Sequence, residues 1–188
     1  YSVASMHMFP LFEAAKPTET HQFIAELARR NMLRRCYTQN VDGLEAAAGV
    51  PPDKIVYCHG SLQKGRCTEC GLEVSGKNWW VPAGVSVDEH AACSTAAGSK
   101  SMDVAERRRR QVPRCVQCGG VIRPDMTFFG ENVPDELEDA VADDCEMVDL
   151  VIVIGTSLSV APSSWILSLV PKDVPRGWIN KRKCNPGV

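Results

Sequence analysis

Residues Leu150-Val151-Ile152-Val153-Ile154 are apolar at every position and are followed at once by Gly155-Thr156-Ser157. A strand with one face in water alternates apolar and polar side chains, whereas one that is apolar on both faces must be covered by another layer on each side. This short run therefore constrains the rest of the chain. It calls for a central strand of a parallel sheet, sandwiched between helices.

The other segments supply suitable partners. After Lys16-Pro17 the sequence predicts a helix, with Thr18 or Thr20 as its N-cap, with Phe23, Ile24, Leu27 and Ala28 at helical spacing, and with Asn31 ending it in the left-handed conformation. Strands are expected at 33–38, which delivers Tyr37-Thr38-Gln39-Asn40-Val41-Asp42-Gly43, and at 55–58, which stops at His59-Gly60-Ser61. A helix over 44–48 lies between them, closed by Gly49 and Pro51-Pro52. A β-favouring run over 121–129, broken by Pro124, precedes a helix from Pro134 to about Met147 with Asp135 and Glu136 in its first turn. A last helix over 162–170 and a short strand Gly177-Trp178-Ile179, ending at Asn180, complete the alternation. The fold class is α/β with a largely parallel sheet.

One consequence concerns function. Open parallel sheets bind ligands beyond the carboxyl ends of their strands. The four expected strands end at Gln39-Asn40-Val41-Asp42, at His59, at Gly155-Thr156-Ser157 and at Asn180, so these polar clusters should gather at one edge.

Composition bounds the remaining possibilities. The 188 residues, 44% of them apolar, suffice for one domain with a small insert. Lysine and arginine (21) nearly balance aspartate and glutamate (23), so no global basic field draws the chain to nucleic acid or membrane. The basic run Arg107 to Arg110 has no interleaved aromatics and is expected to be a solvated loop. No apolar run is long enough to span a bilayer. Tyr1 to Met8 shows neither an initiator methionine nor a signal-peptide pattern, and the numbering is expected to begin inside a longer protein.

Nine cysteines, four of them in Cys67-Thr68-Glu69-Cys70 and Cys115-Val116-Gln117-Cys118, do not fit a secreted disulfide framework. Two C-x-x-C knuckles can instead close a tetrahedral Cys₄ zinc site, which leaves no open position for substrate and so should staple the fold and not catalyse. The expected ligands are Cys67, Cys70, Cys115 and Cys118, with Cys93 a spare thiol between them. Segment 71–114 is longer than a compact zinc ribbon needs. The expected division is residues 1–62 and 121–188 for the sheet domain and 63–120 for a zinc-binding module with a long low-order insert.

Other constellations carry less specific signals. Gly155-Thr156-Ser157 suits close approach of a backbone to phosphate or ribose, or a plain strand-to-loop turn. His59, at a strand end and followed by glycine, could take a proton from a sugar hydroxyl; most single histidines are structural. Asn40 and Asp42 offer both donor and acceptor groups for a carboxamide and ribose hydroxyls, or they cap local turns.

Taken together, the sequence resembles the sirtuin family of NAD-dependent protein lysine deacylases. The matching elements are Lys16-Pro17-Thr18 with His21 and Phe23, Tyr37 to Glu45, Ala48-Gly49-Val50, His59-Gly60-Ser61, both cysteine knuckles, Pro124-Asp125, Phe128 to Pro134, Gly155 to Leu158, and Ile179-Asn180. The resemblance implies a Rossmann-like sheet, incomplete here, with a small inserted zinc-binding domain, and NAD and acyl-lysine peptide between the two. It implies that Gln39, Asn40, Val41 and Asp42 hold nicotinamide and its ribose, with Asn40 and Asp42 acting alongside His59, the general base. Gly155, Thr156, Ser157, Asn180 and Lys181 would bind the rest of the nucleotide. Phe128 would wall the acyl-lysine tunnel, and Phe129, Gly130 and Glu131 would pair with substrate backbone by strand addition.

In the family's reaction the acyl oxygen displaces nicotinamide from the ribose carbon to give an alkylimidate. The products are free lysine, nicotinamide and O-acyl-ADP-ribose. Partners would be acyl-lysine proteins, histone or non-histone, in the cytoplasm or nucleus. Mono-ADP-ribosyl transfer by the same pocket and a non-catalytic acyl-lysine-binding or zinc interaction module are the alternatives.

The sequence also departs from the family. Nothing before Lys16 matches its G-A-G-x-S loop and following I-P-D-F-R, so this stretch alone is expected to be inactive. Lys181 and Arg182 follow Asn180 where the family has one variable residue and then glutamate, and Cys58 stands where the family commonly has alanine.

Overall fold

The computed structural model describes residues 12, 14–76, 79–81, 112–128, 130–132 and 135–181, the side chain of Asp135 aside. Cys93, Arg107 to Arg110, Phe129, Val133 and Pro134 lie outside the described residues. The chain forms two compact units. The first comprises Tyr1–Pro17, Val41–Leu44 and Ser61–Met126; the second comprises Thr18–Asn40, Glu45–Gly60 and Thr127–Val188.

The second unit holds the parallel strands. Helix α1 (Glu19–Arg29) follows its N-cap Thr18, whose backbone N–H donates to His21 Nδ1 at 3.1 Å. It ends as expected: Asn31 takes a left-handed φ of 57° and its N–H donates to the Ala28 carbonyl. Strand β1 (Cys36–Thr38) is three residues shorter at its start than expected. It runs parallel to β2 (Ile55–Tyr57), with Cys36 opposite Ile55 and Thr38 opposite Tyr57. Helix α2 (Leu44–Ala47) and a short 3₁₀ turn (Pro52–Lys54) connect them.

Successive residues of β2 point to opposite cores. Ile55 and Tyr57 pack with Ala28, Ile24 and Val50 on the α1 side. Val56 packs on the other side with Cys58, Leu137, Val141, Trp165 and Ile166, which come largely from helices α3 (Asp135–Cys145) and α4 (Ser163–Leu169). Helices therefore cover β2 on both faces, whereas the run at 150–154 was the one expected to be covered so; there only Val153 is buried, and Leu150 is exposed. That run forms β6 (Val151–Ile154), parallel to β7 (Arg176–Ile179), with Val153 buried against Leu158 and Leu167. One expectation changes: among the described residues the four parallel strands form two two-stranded sheets and not one continuous sheet. Among these residues no ladder joins β1 to β6.

The first unit contains a three-stranded sheet in the order β4-β3-β5, formed by β3 (Gly60–Cys67), β4 (Glu73–Ser75) and β5 (Ile122–Met126). Strand β2 stops before His59 as expected, but after the turn at Cys58-His59 an eight-residue strand that was not expected, β3, begins at Gly60. Pro124 does not break β5, because β5 lies at the sheet edge, where a missing N–H costs no ladder bond.

Candidate functional site

In the second unit, three of the four expected polar strand ends are joined by hydrogen bonds. Gly155, at φ +68°, turns the chain out of β6, and its N–H donates to the Ile179 carbonyl at 3.0 Å. The Asn180 side-chain amide donates to the Thr156 carbonyl at 3.1 Å, and the Thr156 hydroxyl donates to Gln39 Oε1 at 2.6 Å. That hydroxyl also accepts the Leu158 N–H at 3.1 Å. The loops after β1, β6 and β7 are thus pinned to one another. Ser157 lies at the surface, where its hydroxyl accepts one from Ser159 at 2.9 Å, and Lys181 is exposed.

Asn40 is exposed, but its backbone is anchored: its N–H donates to the Thr38 hydroxyl at 3.1 Å. That hydroxyl in turn donates to the buried Glu45 carboxylate at 2.5 Å. The carbonyl of Thr38 accepts the Cys58 N–H at 2.9 Å, which fixes the residue before His59. His59 is half-buried, and its carbonyl accepts the Thr127 N–H at 2.9 Å. Cys58 is fully buried, and burial pushes its thiol up to about 12, so it is a packing group and not a nucleophile. Phe128 is exposed; its N–H donates to Glu131 Oε2 and its carbonyl accepts the Glu131 N–H, each at 3.0 Å, around Gly130 at φ +91°.

A buried carboxylate, Asp144 of α3, braces β1 from beneath. It accepts from Arg34 Nε at 2.8 Å, from Arg35 Nε at 2.5 Å and from the Tyr37 hydroxyl at 2.7 Å. Burial alone would raise its carboxyl, but the hydrogen bonds from Arg35, Tyr37 and Arg34 outweigh that and hold it below its ordinary value. Sequence reasoning missed this group, since more than a hundred residues separate the partners.

Val41 and Asp42 belong to the first unit. Asp42 Oδ1 accepts the Leu44 N–H at 3.1 Å, a local turn cap at the start of α2, and the Val41 carbonyl accepts the Leu62 N–H at 2.8 Å. Gly43 between them has φ +74°, and a Cβ there would meet Gln63 Nε2 at 2.0 Å.

The first unit also brings the four knuckle cysteines together, with all four Sγ atoms within 4.8 Å of one another. Cys67 and Cys118 are 3.4 Å apart and Cys70 and Cys115 are 3.6 Å apart, far longer than the ~2.05 Å of a disulfide. Four thiolates at ~2.3 Å from a tetrahedral zinc stand about 3.8 Å from each other, so this donor set fits zinc. The knuckles are built alike. The N–H of Gly71 returns to the Cys67 carbonyl and that of Gly119 to the Cys115 carbonyl, at φ +73° and +75°. The Cys70 amide, ahead of that of Glu69, favours thiolate at Cys67 and brings it down to about 6.

Parallel strand pairs packed against helices, together with an inserted four-cysteine module, define a Rossmann-like α/β protein with a site suited to zinc. Residues 1–162 match the family model described as the Sir2 family, and the chain belongs to that family. It is 38% identical over 168 residues to the NAD-dependent protein deacetylase SIR2rp1 of Leishmania major, covering 89% of this chain and 39% of that protein. It is 36% identical over 173 residues to the NAD-dependent protein deacetylase sirtuin-3 of Mus musculus, covering 92% and 44% respectively. The chain thus spans about two fifths of the length of the curated relatives it matches. Among solved structures it is similar to a Sir2 with p53 peptide and NAD+, at 25% identity and TM-score 0.71, covering 97% of this chain and 65% of that one. It is also similar to a mutant Sir2 homologue in complex with ADP-ribose, at 28% identity and TM-score 0.69, covering 95% and 59%.

Proposed function

We propose that the protein is an NAD-dependent protein lysine deacylase. The observation that supports this most is the hydrogen-bonded junction of Gln39, Thr156 and Asn180, which presents polar groups of three strand ends at one place beside a glycine turn. Bound NAD would supply an electrophilic ribose carbon with nicotinamide as its leaving group. Toward it, Gln39 and Asn40 would hold the carboxamide and ribose, with Val41 and Asp42 continuing the same stretch. Gly155, Thr156, Ser157, Asn180 and Lys181 would hold the remainder of the nucleotide.

His59 would take a proton from a ribose hydroxyl. Phe128 would contact the acyl-lysine side chain, and Phe129, Gly130 and Glu131 would pair with the peptide backbone, an arrangement that tolerates many substrate sequences. Cys67, Cys70, Cys115 and Cys118 would bind zinc, which staples the module and takes no part in chemistry. The substrate class is acyl-lysine proteins. Relatives bear names such as the NAD-dependent histone deacetylase SIR2 of Kluyveromyces lactis, and the two C-x-x-C knuckles suit a reducing, cytoplasmic or nuclear setting. Among the described residues, no helix is long and apolar enough to cross a membrane.

The deciding experiment incubates the full-length polypeptide with NAD and acetyl-, succinyl- or myristoyl-lysine peptides, and follows nicotinamide and O-acyl-ADP-ribose by mass spectrometry. Formation of both products supports the reading and gives the acyl preference. Nicotinamide release with ADP-ribose attached to protein would replace it with mono-ADP-ribosyl transfer. Peptide binding without nicotinamide release would replace it with a binding module.

A further inference from the structure

We propose that Thr38 and Glu45 are positioning residues that fix Asn40 and His59 relative to each other, a role that rests on the deacylase reading for its functional consequence. Thr38 is the last residue of β1 and is buried, so its role runs through its hydrogen bonds to its neighbours. It holds both neighbours of the chemistry. Its hydroxyl accepts the Asn40 N–H, and its carbonyl accepts the N–H of Cys58, next to His59.

The direction of the hydroxyl proton is set by Glu45. The Thr38 hydroxyl donates its single proton to Glu45 Oε1, which leaves the oxygen lone pairs facing the Asn40 amide. The exposed Asn40 side chain therefore extends from an immobilised backbone, the preorganisation that a binding group requires.

Stability alone does not account for Glu45. Its side chain is 3% exposed, and Oε2 has no hydrogen-bond partner among the described residues. A half-satisfied buried carboxylate is destabilising relative to an apolar residue of similar volume, and departures of this sort concentrate at functional sites. Within α2, only an acceptor at this position can orient Thr38.

Amide hydrogen exchange by NMR on the full-length protein tests the relay directly, with the variants Thr38→Val and Thr38→Ser. In Thr38→Val the Asn40 amide should exchange about tenfold faster or more, whereas the Cys58 amide, bonded to the retained Thr38 carbonyl, should stay protected. Thr38→Ser should restore Asn40 protection. Glu45→Gln, which keeps an acceptor, should resemble wild type more closely than Glu45→Leu does. In turnover, Thr38→Val should raise the KM for NAD about fivefold or more, beyond any fall in kcat, and Thr38→Ser should bring it back.

Unchanged Asn40 exchange in Thr38→Val would overturn the relay. So would equal loss of protection at Asn40 and Cys58, which signals general loosening. An inactive wild-type protein would overturn the deacylase reading instead, and the exchange measurements would still decide the relay.

Discussion

The Thr156 hydroxyl donates to the side-chain carbonyl of Gln39 at 2.6 Å, across 117 residues of sequence. This bond orients the Gln39 amide and ties the loop after β6 to the loop after β1. Thr156→Val removes it and also leaves the Leu158 N–H without its acceptor. The expected result is a loss of ADP-ribose affinity of about tenfold or more, read by isothermal titration calorimetry. Unaltered affinity would show that the junction serves the fold and not the ligand.

His59 carries the proposed proton transfer. Replacing it by tyrosine should lower turnover by about 10²- to 10⁴-fold, the usual contribution of general acid–base catalysis, while calorimetric NAD affinity stays within a few-fold of wild type. A His59→Tyr protein with full turnover would remove the histidine from the mechanism.

Asp144 gives a pH signature. Its folded-state carboxyl is held below the ordinary value, so folding favours the ionised form. The resulting stability is fully present above the unfolded value of about 3.9 and is lost as pH falls through the lower folded value. Asp144→Asn should cost about 3 kcal/mol in urea unfolding at neutral pH. The gap between variant and wild type should narrow below about pH 4. A gap that stays constant with pH would assign the effect to packing and not charge.

The four-cysteine module should bind about one equivalent of zinc and lose its structure when the metal is removed. Trp79, whose indole N–H donates to the Leu62 carbonyl at 2.9 Å, provides a reporter within the same unit. Chelation, or Cys115→Ser, should shift tryptophan emission to the red and abolish zinc recovery by mass spectrometry. Retained zinc in the variant would dismiss Cys115 as a ligand.

Trp79 also lies over Gly65, where a Cβ would come within 2.3 Å of the indole ring and 2.8 Å of Ile122. Gly65→Ala should therefore destabilise the module by about 1–3 kcal/mol through overpacking. A Gly65→Ala, Trp79→Leu double variant should recover part of that loss in thermal unfolding. Additive losses would place the clash elsewhere.

How much of this was legible in sequence depended on whether the signal was local. The run at 150–154 announced a strand of a parallel pair, and the C-x-x-C spacing announced a four-thiolate site, because each is written in neighbouring residues. The convergence of Gln39, Thr156 and Asn180 followed from strand order. Strand β3 was hidden because Gln63, Lys64 and Arg66 are exposed along it and Gly65 is there to admit an indole, so no apolar alternation appears. The Asp144 cluster and the Thr38–Glu45 relay left no local trace. The first depends on partners far apart in sequence, and the second depends on a turn that folds α2 back against the end of β1.

Strand β7 has a bearing on biosynthesis. It contributes the Ile179 carbonyl that receives Gly155 and immediately precedes Asn180, which grips Thr156. A nascent chain emerging from the ribosome can make the Gln39 end of the junction early, but it cannot brace the Thr156 loop until residue 180 has cleared the exit tunnel. The junction should consequently stay open until that residue is free, and a stalled or clipped product lacking this strand would leave Thr156 and Gly155 without their Asn180 and Ile179 partners.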